Sequence, residues 1–273
     1  MKKMIRILIA VVLVAGLVIG GVSLIKQQKD YKQGEQDYAD AKDLVGISLE
    51  APEQTPVEET PEEVPVEETE PAEEVKPVDP QIQTMLGLNL DNLRQINPEV
   101  IGWIDIPGTV ISYPVMQTTN NTKYLSLTWK QEYSSVGSIY MESTNRADLS
   151  QFNTILYGHN MQDGSMFCGL KDFQDQKYWE EHPYIYLAVD GLVRKYAIYT
   201  AYEVRTWEIT YGLEIDSDKR KQEFIDFGLN ESDIDTGIVP TVEDTILTLS
   251  TCTGLGNGRR WVVQAVCVDE SSL

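Results

Sequence analysis

TLSTCTGLGNGRRWVVQAV, residues 248–266, decides how the rest of the chain is read. An alternating run ends on Thr251-Cys252, a loop with three glycines follows, and Arg259-Arg260 opens a second apolar run. Successive strand side chains take opposite faces, so Thr248 and Ser250 share one face while Leu247 and Leu249 share the other. Cys252 falls at or just past the strand end, where a side chain can leave the ladder. If 245–251 and 260–268 are antiparallel neighbours, the loop length returns Arg260 to the level of the thiol. Packing needs no such pair. Chemistry does: a thiol becomes a nucleophile when a nearby base or positive charge favours the thiolate. A guanidinium beside it can stabilise an oxyanion and hold carbonyl oxygens.

The chain has only two histidines from which to supply a base. His159, in NTILYGHNMQDGSM, follows an apolar strand and Gly158, at a strand-to-loop edge where functional side chains concentrate. His182, in YWEEHPYIY, reads as a helix C-terminal residue favoured by the dipole. Of the three cysteines, Cys168 and Cys267 read as buried small hydrophobes. A disulfide from Cys168 to Cys252 or Cys267 stays open, though three cysteines make no disulfide scaffold. The histidines and cysteines lack the short paired spacing of a zinc site, and no EF-hand-like run of oxygen ligands occurs.

Working outward, short strand-like runs fill the second half of the chain: VIGWIDI, VISYPVM, GSIYM, NTILYG, YIYLAV, LVRKYAIYTAYEV, TILTLS and WVVQAVCV. Asp190-Gly191 between two of them signals a hairpin. Helical patches are expected at 81–97, about 165–182 and about 217–228, the last capped by Ser217. Many short strands with a few loop helices predict a mostly β fold, a single β-barrel of about eight strands behind an N-terminal helix.

Upstream, Lys2, Lys3 and Arg6 precede a charge-free apolar run over 7–25, 19 residues long. That length suits a bilayer core, and the leading basic residues favour a cytoplasmic N-terminus with the remainder exported. A cleaved signal peptide is the rival, although its apolar stretch is usually only about 7–15 residues. The expected division is 1–6 cytoplasmic, 7–25 a transmembrane signal-anchor, 26–49 juxtamembrane, 50–80 a stalk and 81–273 the extracellular catalytic domain. The stalk follows from composition: from Glu50 to Asp79 there are twelve acidic residues, one lysine and repeated prolines. Such a segment has too little apolar surface to fold. Of the net charge of −21, about −12 remains on 81–273, which argues against nucleic acid as a partner.

With these residues in place, the chain resembles class B sortases, membrane-anchored cysteine transpeptidases of Gram-positive bacteria. YGHN with a downstream GSMF, then TLSTC, then RRWVVQA carry the resemblance, from about Gln81 to Asp269. VIGWIDIPGTVISYPVMQ and the long insertion of 206–238 fit as well. The resemblance implies a sortase-type barrel in which Cys252 attacks a sorting-signal carbonyl after threonine and forms a thioacyl enzyme. His159 then serves as general acid and base, and Arg260 positions substrate and stabilises the oxyanion. Tyr157, Ser250 and Thr251 line the substrate groove. No metal or other cofactor is implied. The implied partners are a surface protein with a C-terminal signal, of Asn-Pro-x-Thr type, and an amine acceptor from a peptidoglycan precursor or a pilin lysine. The implied location is the cell membrane, single-pass. Two departures stand out: Thr253-Gly254 after the cysteine, where many members are acidic, and YLSLTW at 124–129. A surface cysteine protease and a non-catalytic anchored scaffold remain as alternatives.

Overall fold

Eight strands form because β-branched and aromatic residues recur between turn-forming pairs. A computed structural model of the chain describes residues 2–47, 79–254 and 258–272, with the side chains of 2–12, 14 and 15 left aside. The strands are β1 (Val100–Asp105), β2 (Ser112–Met116), β3 (Ile139–Met141), β4 (Asn153–Tyr157), β5 (Tyr184–Val189), β6 (Leu192–Arg205), β7 (Ile246–Cys252) and β8 (Arg259–Ser272). They close into one barrel in the order β1-β2-β3-β4-β7-β8-β6-β5. Closure leaves no open sheet edge in the ring. β2 with β3 and β4 with β7 run parallel; the other six pairs are antiparallel. The Asp190-Gly191 hairpin is present, with Val189 opposite Leu192 and Gly191 at φ +66°.

β7 sits at the centre of the functional half, and its two faces have different fates. Leu247 and Leu249 enter the main core with Trp103, Ile104, Val263 and Ala265. Thr248 and Ser250, on the polar side, are buried too. The β6–β7 connection covers them with a 3-10 turn (Ile209–Tyr211) and a helix of 218–231. Thr248 donates to Asn153 Oδ1 at 2.7 Å and accepts from Gln264 Nε2 at 3.2 Å, so its hydroxyl is satisfied without water.

The described residues form five α-helices: α1 (Lys2–Val45), α2 (Pro80–Leu86), α3 (Leu90–Arg94), α4 (Gln176–Glu181) and α5 (Asp218–Glu231). Ser217 caps α5 as expected, its hydroxyl accepting from Arg220 N. The single helix expected over 81–97 is two, because α2 stops at Gly87 and Asn89 caps α3 by accepting from Asn92 N. The patch near 165–182 also divides. A 3-10 segment, Cys168–Gln174, ends at Asp175, whose carboxylate accepts from Lys177 N and starts α4. His182 caps the C-terminus of α4, and its Nδ1 lies 3.0 Å from Pro107 O.

The C-terminal half of α1 is part of the packed structure. Tyr38, Ala41 and Val45 are buried in the barrel's own cluster. Trp129 Nε1 donates to Asp37 O at 2.6 Å, and Lys130 pairs with Asp37 and Asp40 at 3.1 and 2.5 Å. The Tyr38 hydroxyl lies 2.5 Å from Gly137 O and 3.1 Å from Ser138 Oγ. The apolar run of 7–25 falls in the same helix, but the side chains of 7–12, 14 and 15 lie outside the described residues. Among the described residues no helix is long and apolar enough to cross a membrane. The stalk expected over 50–80 lies outside them as well, apart from Asp79 and Pro80.

All three cysteines are free thiols. Cys168 and Cys267 are only partly buried, not core residues as their small size suggested. Cys168 opens a 3-10 segment, and Cys267 lies one residue past the last β7–β8 pair, Ile246 with Val266. Burial still pushes both thiols up, with nearby carboxylates adding to the effect.

Candidate active site

Two strand pairings bring the reactive groups together. In the antiparallel β7–β8 pair, Cys252 faces Arg260 directly, so the loop returns the guanidinium-bearing residue to the thiol. In the parallel β4–β7 pair, Tyr157 faces Ser250 and Gly158 N donates to Ser250 O at 3.2 Å. Two residues further along both strands, that register sets His159 level with Cys252. Asn160 Nδ2 fastens the arrangement by donating to Cys252 O at 2.8 Å. The Cys252 side chain is exposed, as β7 ends there.

His159 is held from the opposite side by the segment 123–138. Its Nε2 lies 2.7 Å from Leu125 O. A carbonyl oxygen only accepts, so Nε2 carries the hydrogen and Nδ1 is the nitrogen free to exchange a proton. Gly137, at φ +62°, lies against the ring: a Cβ there would sit 2.8 Å from His159 Cδ2, 2.7 Å from Tyr124 O and 3.0 Å from Leu125 O. Only glycine fits both that φ and that approach.

A cavity of about 430 Å³ opens in front of these groups, walled by Leu125, Tyr140, Glu142, Tyr157, Tyr211 and Leu213, with His159, Cys252 and Arg260 on its rim. Ser250 Oγ and the Tyr211 hydroxyl share a 2.7 Å hydrogen bond. Thr251 lies on the cavity lining, but its hydroxyl is spent on Gly158 O at 2.8 Å, tying β7 to the chain entering His159. Arg259 pairs with Glu203 on β6 and points away from the cavity-lining set.

Three phenols, those of Tyr140, Tyr157 and Tyr211, stand in the wall. Burial, with the Glu142 and Cys252 charges adding and Arg260 opposing, pushes Tyr140 up to about 12. Burial likewise pushes Tyr211 up to about 12. Tyr157 is driven upward by burial and then by Glu142, to which it donates at 2.9 Å. All three phenols therefore stay neutral at any physiological pH. Glu142 moves the other way: burial raises it, but hydrogen bonds from Asn121, Tyr157, Thr144 and Ser143 outweigh burial and hold it ionised. Among the described residues no group of three or more His, Cys, Asp or Glu side chains is arranged to hold a metal ion.

Residues 104–268 match the sortase domain family model, a stretch that contains every residue of this site. The chain belongs to the sortase family, class B. Sortase B of Staphylococcus aureus is 36% identical over 164 residues, 59% of this chain and 66% of that protein. Sortase B of Listeria monocytogenes is 32% identical, covering 60% of this chain and 66% of its own length. The matched stretch thus spans just under two thirds of the curated relatives. The crystal structure of the S. aureus sortase B superposes with a TM-score of 0.63 at 33% identity, covering 66% of this chain and 86% of that one. A sortase B from B. anthracis gives 0.66 at 28% identity, covering 88% and 99%. The mixed eight-strand barrel, with its N-terminal and loop helices, is the sortase B architecture.

Within this sortase barrel, the structure brings Cys252, His159, Arg260, Tyr157 and Ser250 around one cavity. It adds residues the sequence did not single out: Glu142, Asn121, Leu125 and Tyr211. Glu142 follows the short β3 run IYM and looks like any surface acid until its 5% exposure is known. Tyr211 belongs to the 206–238 insertion, and nothing local marks it as reaching Ser250.

Proposed function

We propose that the chain is a cysteine transpeptidase, and the observation that carries this reading is the shared level of Cys252, Arg260 and His159 at one end of β7. Cys252 passes its proton to His159 Nδ1 and its thiolate Sγ attacks the carbonyl of a threonine in a sorting signal, the negative charge on the tetrahedral oxygen being met by the Arg260 guanidinium. The peptide C–N bond breaks as His159, through Nδ1, protonates the leaving amine, giving a thioester on Cys252. An incoming amine then attacks the thioester, loses its proton to His159 and releases the thiolate. The hydrogen bond from Nε2 to Leu125 O leaves Nδ1 as the nitrogen that gives the proton in the first half-reaction and takes one in the second.

Two structural neighbours support a peptide substrate and an amine acceptor: a complex of the S. aureus sortase B with substrate, and a sortase B complex with triglycine. For this chain the signal is of Asn-Pro-x-Thr type and the acceptor is a peptidoglycan cross-bridge amine. The chain sits in the membrane through α1, cytoplasmic N-terminus first. Leu13, Leu17, Val18, Ile19, Val22, Leu24 and Ile25 are each at least 58% exposed, a spread around the helix that water does not favour.

Intact-protein mass spectrometry tests the reading. The full chain in detergent is mixed with Asn-Pro-x-Thr and Leu-Pro-x-Thr peptides, with and without triglycine or a diaminopimelate amine. An adduct equal to the peptide's N-terminal fragment, absent in Cys252→Ala and discharged faster by amine, is the expected result. Discharge by water alone at an amine-independent rate would make it a protease. A Cys252 that alkylates readily yet forms no adduct with any peptide would refute transpeptidation of these signals.

A further inference from the structure

Glu142 is a carboxylate where a peptide-binding cavity has no evident need of one. It is 5% exposed, and it lines the cavity with Tyr157 and Asn121. Its two oxygens are used differently. Oε1 accepts from Ser143 Oγ at 3.1 Å and from Thr144 N and Oγ1, both at 3.4 Å. Oε2 accepts from the Tyr157 hydroxyl at 2.9 Å, and Asn121 Nδ2 lies 2.7 Å from both oxygens. Asn121 is pinned at its other end as well, since its Oδ1 accepts from Ser143 N at 2.8 Å.

This array fixes the direction of one hydrogen. An ionised carboxylate only accepts, so the Tyr157 O–H must point at Glu142. What the phenol oxygen offers any other group is then an acceptor lone pair. Tyr157 and Ser250 are register partners, each two residues before His159 and Cys252. At a strand rise of about 3.3 Å per residue, the phenol's backbone lies about 7 Å from the level of the thiol. That is within side-chain reach of the residue whose carbonyl the thiol attacks.

We propose that Glu142 is a positioning residue that commits Tyr157 to the acceptor role, so that the pocket selects a hydrogen-bond donor, a threonine hydroxyl, on the residue whose carbonyl is attacked. The proposal rests on the transpeptidase reading. It goes beyond it by stating why a hydroxyl is selected and which residue outside the catalytic trio enforces the choice. Replacement by glutamine predicts a reversal of direction. With its Oε1 kept on Ser143, Thr144 and Asn121 Nδ2, the new Nε2 falls where Oε2 was and donates to the Tyr157 oxygen. The Tyr157 hydrogen then turns to the cavity and the wall favours an acceptor.

Two peptides differing only at that position, threonine or O-methylthreonine, decide the matter with the full chain in detergent. Two readouts are taken: kcat/KM for thioester formation, and peptide Kd in a Cys252→Ala background. Wild type is expected to prefer threonine by about tenfold or more, the usual effect of leaving a buried acceptor unpaired. Glu142→Gln should bring that ratio to one or below. Tyr157→Phe should erase it by lowering threonine to the level of the ether. An unchanged ratio in Glu142→Gln, or no preference in wild type, overturns the proposal. A ratio that survives in Tyr157→Phe marks a steric preference and overturns it too. If wild type forms no thioester at all, transpeptidation fails separately, and the Kd ratios of Cys252→Ala and Cys252→Ala/Glu142→Gln still decide the role of Glu142. If Glu142→Gln does not fold, Glu142→Asp, which draws the carboxylate back from the Tyr157 hydroxyl, decides it: the ratio should narrow, and an unchanged ratio overturns the proposal.

Discussion

Replacing Gly137 by alanine should damage the enzyme through a histidine that the substitution leaves in place. Two costs add. An L-residue at φ +62° carries about 1–2 kcal/mol of left-handed strain. The new Cβ would also meet Tyr124 O at 2.7 Å, His159 Cδ2 at 2.8 Å and Leu125 O at 3.0 Å. Relieving contacts that short in a packed region typically costs a further 1–3 kcal/mol or so. The sum, about 2–5 kcal/mol, corresponds to a fall of roughly 5–20 °C in Tm for a domain of this size. The activity loss should exceed what stability explains, because the atoms that must move include the carbonyl holding Nε2 and the ring itself. A displacement of about 1 Å at such a site costs on the order of 10²-fold in rate. Gly191→Ala is the matched control: φ +66°, with nothing within 4 Å of its Cβ. It should show the strain alone, with kcat/KM unchanged. Thermal melts and thioester-forming kcat/KM well below the Gly137→Ala melting point separate the two effects. A Gly137→Ala enzyme as active as Gly191→Ala at that temperature would refute the contact of this segment with His159 as a determinant of catalysis.

Three other outcomes follow from the same contacts. Tyr38→Phe removes a buried hydrogen bond from α1 to Gly137 O, and should cost about 1 kcal/mol while lowering kcat/KM in parallel with the mobility of the 123–138 segment, read by hydrogen exchange. Arg260→Lys keeps a charge but loses the planar fork, so kcat should fall by about 10²-fold with little change in KM, as expected for a contact made in the transition state. Stability should decline in alkali. Tyr140 and Tyr211 have folded values raised to about 12, above the unfolded value near 10, so the folded state holds protons that the unfolded chain has released. Their contribution is complete below pH 10 and is lost between about 10 and 12. Denaturant midpoints that stay level across that window would contradict it.

The two halves of the site were legible to different degrees. Cys252 and Arg260 are eight residues apart on a hairpin, so alternation and loop length were enough to set them opposite one another. His159 was marked only by its place at a strand end. Its meeting with Cys252 depends on β4 and β7 lying side by side in parallel, a pairing across 93 residues that no local pattern encodes. The helical patches were found but their divisions were not, since Asn89 and Asp175 act as caps only because the chain turns there.

What the sequence determined by itself is whatever has a short period or a short loop: the strands, the Asp190-Gly191 hairpin, the Ser217 cap, the thiol–guanidinium pair and the acidic balance. What only the tertiary structure decided is burial and partnership at long range. Glu142 is ordinary in sequence and becomes a fixed acceptor because four neighbours donate to it out of water. Alternation marks one face of β7 as polar, yet α5 and the 209–211 turn bury it, because the barrel leaves both faces of that strand to be covered. The stretch 26–49 is expected as a juxtamembrane segment, yet Tyr38, Ala41 and Val45 complete the core beneath the segment that holds His159. The physical reason is common to all three. Periodicity reports which way a side chain points within its own element, whereas burial is set by whatever other element the fold lays against it.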